Sequence, residues 1–105
     1  MKKIHIAIGV SDIERSVKDY SKRLGMPSFV VPNEYALWRT ECVNFSIRRV
    51  AESPGTLRHL GWEDQTASDF TQDTDVNGIV WERFNANHQA EEIKDAWPQS
   101  NYVPK

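Results

Sequence analysis

The chain has 105 residues, 39% hydrophobic and 27% charged, with a formal net charge of −2 at pH 7. That size and balance predict one soluble globular domain with a small core and exclude a disordered chain. The basic residues form nothing larger than pairs such as Lys2-Lys3 and Arg48-Arg49, so there is no charged footprint for nucleic acid.

In chain order, residues 3–10 alternate as a strand. Ile4, Ile6, Ile8 and Val10 lie on one face and His5, Ala7 and Gly9 on the other. The apolar run is too short and too regularly interrupted for a signal peptide or membrane span, so no membrane partner is expected. "SDIE" then reads as a capping box with Ser11 as N-cap and Glu14 three residues on. It opens a helix to Leu24 whose stripe of Ile13, Val17, Tyr20 and Leu24 suits packing on a sheet. Gly25 and Pro27 end the helix. Three strand-like runs follow at 29–31, 35–40 and 43–50, giving a βαβββ unit over 1–51.

After the Pro-Gly loop of "AESPG", a strand at 57–63 presents His59, Gly61 and Glu63 on one face and Leu60 and Trp62 on the other. The segment 64–78 has room for a helical turn, or for a strand at 69–74 paired with 79–84. The Asn77-Gly78 dipeptide favours the hairpin. A tail helix is predicted over 87–97, with Asn87 as cap, Ala90, Ile93 and Trp97 on one face, and Pro98 as the stop. The lone Cys42 cannot form an internal disulfide, which fits a reducing cytoplasm, the expected location. An inert role for it is the commoner one for an isolated cysteine.

Three stretches carry a family resemblance. "HIAIGVSDIERSVKDYSKRLGM", "GTLRHLGWE" and "DVNGIVWERF" together resemble the vicinal oxygen chelate superfamily, which includes glyoxalase I, bleomycin- and fosfomycin-resistance proteins and extradiol dioxygenases. The second stretch is most similar to the cadmium-induced and organoarsenical-lyase branch. The third is similar to the D-P-D-G-N-x-x-E hairpin that carries the family's last metal ligand. The resemblance implies an α+β fold: a βαβββ module, a truncated second module over 56–84, a cupped mixed sheet, and here a C-terminal helix, within one glyoxalase/bleomycin-resistance-like domain.

Carried over residue by residue, the resemblance implies a metal site of His5, His59 and Glu82. Two imidazoles and a carboxylate suit Fe(II), Mn(II), Ni(II) or Zn(II) with open coordination positions. Parity agrees, because His5 lies opposite the isoleucines and Val80, Glu82 and Phe84 share one strand face. Against this stands the ordinary reading of a strand histidine as a structural residue, and of Glu82 as a surface partner of Arg83 or Arg39. Gly61 is expected to keep the inner face open beside the metal. Glu63 is expected to be a solvated surface acid and His88 to be exposed.

The sequence departs from the family in two respects. Where glyoxalase I-type members supply another carboxylate, this chain reads "NFSIRR", with Asn44, Ser46 and Arg48 inward; that counts against glyoxalase I activity. The second module has also lost its long helix. Ser46, Arg48 and Trp38 are the candidate substrate contacts, and Arg39 a candidate anion site with Arg48, although solvated strand arginines are common.

Three classes of function stay open. The first is a metal-dependent lyase or dioxygenase acting on a small oxygen-bearing molecule. The second is a metal-free protein of bleomycin-resistance type that sequesters a small molecule. The third is a degenerate, non-catalytic member. The shortened second module leaves apolar surface and open edges, with Trp62, Trp81 and Trp97 available to cover them. A homodimer is therefore expected, its tail helix either reaching across a partner or folding back on its own sheet.

Overall fold

A computed structural model of the chain describes residues 2–51 and 53–104. The fold is α+β: a mixed seven-stranded sheet with two helices. In chain order these are β1 (Lys2–Val10), α1 (Ile13–Leu24), β2 (Phe29–Val31), β3 (Tyr35–Arg39), β4 (Val43–Arg49), β5 (Thr56–Asp64), β6 (Thr71–Thr74), β7 (Val80–Phe84) and α2 (Ala86–Ala96). The strand order is β2-β3-β4-β1-β5-β7-β6, which puts β1 at the centre.

Strand alternation sorts the side chains as expected. On one face, α1 lays Ile13, Val17, Tyr20 and Leu24 against Ile8, Val10, Ala36, Trp38, Phe45 and Ile47. Tyr20, Trp38 and Phe45 meet edge-on, with ring centroids 5.1–6.0 Å apart. The helix start differs from the expected Ser11/Glu14 box. Asp12 is the N-cap, accepting from the backbone N–H of Arg15 at 3.0 Å, because a carboxylate at the first turn also complements the helix dipole. Gly25 ends the helix in the left-handed region at φ 71°, as anticipated.

The opposite face carries a second cluster, in which Tyr35, Leu37 and Ile93 are joined by Phe29, Val31, Trp97 and Tyr102. Of the two arrangements open to the tail helix, α2 adopts the one that folds back onto its own sheet. Its cap is Asn85 rather than Asn87. The Asn85 side chain accepts from the His88 N–H at 2.9 Å, and His88 Nδ1 accepts from the Asn85 N–H at 3.0 Å. That reciprocal box leaves His88 half-buried rather than exposed.

In the second half, β5 pairs parallel with β7, and β7 pairs antiparallel with β6. The same sequence of pairings links β1, β4 and β3. The hairpin reading of 64–78 holds in its later part. Asp75 Oδ1 accepts from the N–H groups of Asn77 and Ile79, and Gly78 supplies φ 82°. The backbone joins β5 to β6 without a helix. Among the described residues, no helix is long and apolar enough to cross a membrane.

Candidate metal centre and its cavity

Three neighbouring strands deliver one side chain each. β1 presents His5 and β5 presents His59, two positions from the Gly61 that faces His5, while β7 presents Glu82 opposite Gly61. His5 Nε2 lies 2.9 Å from His59 Nε2, and His59 Nε2 lies 3.1 Å from Glu82 Oε1. The three donor atoms fall within 4.8 Å of one another. Ligands about 2.1 Å from a shared ion and at right angles to each other stand about 3.0 Å apart, so the two measured spacings fit adjacent coordination positions. The three residues expected to form the ligand set therefore do come together.

The orientation of His5 is fixed from behind. Its Nδ1 lies 2.9 Å from Asn44 Oδ1 and 3.1 Å from the Asn44 carbonyl oxygen. Both are acceptors, so Nδ1 carries the proton and donates, and the Nε2 lone pair faces His59 and Glu82. Asn44 Nδ2 donates to Glu63 Oε1 at 2.8 Å and to Gln89 Oε1 at 2.7 Å, and Gln89 Nε2 returns a bond to Asn44 Oδ1 at 3.2 Å. Two facing amides could exchange roles by turning over together. Glu63 prevents that, because a carboxylate only accepts. Arg39 in turn donates to both Glu63 oxygens, each at 2.8 Å, the bidentate arrangement natural to a guanidinium.

Glu63 is thus not the solvated acid that its place at a strand end suggested; it is 7% exposed. Its parity with His59 and Gly61 was the available signal. The strand continues through Asp64, and Arg39 and Asn44 close on the carboxylate from β3 and β4, which strand-end position alone could not reveal. Burial opposes its charge, but the bonds from Arg39 and Asn44 outweigh that and hold the carboxyl below its ordinary value. Arg39, considered above as an anion site, is committed to this pair.

His5 is 3% exposed, with Phe84 meeting its ring edge-on at 5.0 Å. Burial, and then the neighbouring His59, push its imidazole below the ordinary value, toward the neutral form that a metal ligand needs.

The trio opens into a cavity of about 430 Å³ between the sheet and α2. Ser46 and Arg48 line it, as expected of substrate contacts. Trp38 does not. It is fully buried on the α1 side, its Nε1 donating to Ser21 Oγ at 3.1 Å, because its parity is that of Ala36 rather than of Tyr35 and Leu37. Arg58 and Gln89 line the cavity without having been singled out for it, and Trp97, expected as core or interface mass rather than a ligand wall, lines it too. The chain matches no protein-family model and no curated protein.

Proposed function

We propose that the chain binds a divalent metal ion through His5, His59 and Glu82, and receives a small oxygen-bearing molecule in the adjoining cavity. This is the manner of the vicinal oxygen chelate superfamily that its sequence resembles. The observation that carries the reading is the convergence of three donor atoms at 2.9 and 3.1 Å, with the His5 lone pair aimed inward by Asn44.

The pairing pattern supports it further. His5 faces Gly61 and Ala7 faces His59 across β1 and β5, so a rotation exchanging the two strands carries His5 onto His59. Ser46 is the parallel partner of Ala7, and Glu82 that of Gly61. Ser46 thus stands where a second carboxylate would stand, and the site offers three protein ligands rather than four. A bound ion would supply Lewis acidity toward an oxygen of the guest. The chain's own residues orient the ligands through Asn44 and Glu63, pack Phe84 against His5 to exclude water, and shelter the guest under α2.

Protein purified without chelator or added metal should carry about one divalent ion per chain. His59→Ala and Glu82→Ala should each weaken metal binding about 100-fold. Metal-free protein that takes up no Fe(II), Mn(II), Ni(II) or Zn(II) would overturn the reading. It would favour the second one, a metal-free binding protein, which the mutual hydrogen bonds of the three side chains also permit.

A symmetric dimer is part of the proposal. Among the described residues, the sheet face behind β5 and β7 has no counterpart of α1. Trp62, 37% exposed, stacks there on Trp81 with ring centroids 6.5 Å apart, the kind of apolar surface that association covers. Sedimentation at micromolar concentration should give twice the 12.1 kDa chain mass; a single 12.1 kDa species would remove this part.

A further inference from the structure

The β1–β5 ladder contains an irregularity beside the ligand trio. Ala7 pairs with His59, but the next residue, Ile8, pairs with Leu57, leaving Arg58 as an extra residue in the bulged strand. Simple alternation would send Arg58 to the face opposite His59. The bulge turns it instead to the same side, and Arg58 lines the cavity together with His59. Arg48 reaches that cavity by ordinary parity from β4, its guanidinium carbon 5.1 Å from the Trp97 ring centroid.

Among the described residues, neither guanidinium has an ion pair or a hydrogen bond. Both side chains are exposed and line the same cavity, so two like charges flank one opening. Two guanidiniums at one opening can together hold the oxygens of a carboxylate or phosphoryl group. Glu92 and Asp95 of α2 also line the cavity, yet neither closes a salt bridge with the arginines. The remaining wall is mixed: Tyr35, Phe84, Ile93 and Trp97 supply its apolar surface beside Ser46 and Gln89.

We propose that Arg48 and Arg58 are the anion-recognition end of this cavity. They take the carboxylate or phosphoryl group of a small organic molecule whose apolar body lies against Phe84 and Trp97, toward His5, His59 and Glu82. The proposal rests on reading this cavity as the ligand site, but not on the ion.

Chelator-treated, metal-free protein titrated with 3-phenylpropanoate, phenylphosphonate and the neutral 3-phenylpropanamide tests it, with binding followed by amide NMR shifts. At least one of the two anions should bind about 10-fold or more tightly than the amide, as expected for charge-assisted bidentate bonds, and which one binds better identifies the oxyanion. Arg48→Gln and Arg58→Gln should each lower the affinity of the preferred anion about 10-fold more than that of the amide. The amide spectrum of each variant reports that it is folded, and in wild type alone the anion-over-amide preference already decides. Equal affinities for anions and amide, no binding of either anion, or unchanged preference in both variants would overturn the proposal. So would anion binding that appears only after metal is added, which assigns the anion to the ion. Anion binding by protein that takes up no metal would refute the metal reading alone.

Discussion

Gly61→Ala should destabilise the protein by about 3 kcal/mol and weaken metal binding at the same time. A Cβ at position 61 would stand 2.3 Å from the Glu82 carbonyl oxygen and 3.0 Å from the Glu82 backbone nitrogen and carbon. These are backbone atoms of the adjoining strand in parallel register with Gly61, so no side-chain rotation relieves the overlap. β5 and β7 must separate, and Glu82 moves with its strand. Gly9→Ala is the natural comparison, because its Cβ would meet the Val50 side chain at 2.8 Å, and a side chain can shift. That variant should lose about 1 kcal/mol and keep its metal affinity. Urea denaturation and metal titration check both. A Gly61→Ala midpoint equal to wild type would show that the strands do not approach this closely. The requirement for glycine is thus stricter than an open inner face: the position excludes even a methyl group.

Glu63→Ala should cost about 3 kcal/mol, the usual consequence of removing one member of a buried ion pair. The Arg39 guanidinium loses the carboxylate that receives two of its N–H groups at 2.8 Å each, and Asn44 loses the partner that fixes its amide direction. With only Gln89 facing it, the Asn44 amide can turn over and present N–H groups to His5. The His5 proton then moves toward Nε2 and competes with metal. We expect a roughly 10-fold lower metal affinity on top of the stability loss, in the range typical of outer-shell substitutions.

The pH dependence has a definite sign. The Glu63 carboxyl is held below its ordinary 4.5 in the folded protein, so the unfolded chain takes up the proton first as pH falls. Its contribution to stability is full above pH 4.5 and is lost as pH drops through the lower folded-state value. Wild type should therefore lose stability more steeply than Glu63→Ala in that acid range. Parallel slopes in thermal melts taken from pH 5 downward would refute this role for Glu63.

The sequence alone determined whatever follows from local periodicity. The α1 stripe of Ile13, Val17, Tyr20 and Leu24, the inward parity of His5, His59 and Glu82, and the Asn77-Gly78 hairpin were all readable, because 3.6-residue and two-residue repeats are properties of a single segment. The caps were displaced by one or two residues, to Asp12 and Asn85, since Ser11 and Asn87 offer the same side-chain chemistry nearby. Only the tertiary structure decided how segments meet. Whether Glu63 is solvated depends on Arg39 and Asn44 arriving beside it from β3 and β4. Trp38 is lost to the site because α1 claims its face, and Arg58 joins the site because β5 carries a bulge opposite Ala7 and Ile8. Gly61 is constrained by the backbone of a strand that the chain reaches only at Val80. Each of these turns on a contact between distant residues, and a residue's own segment carries no record of which distant strand will lie beside it.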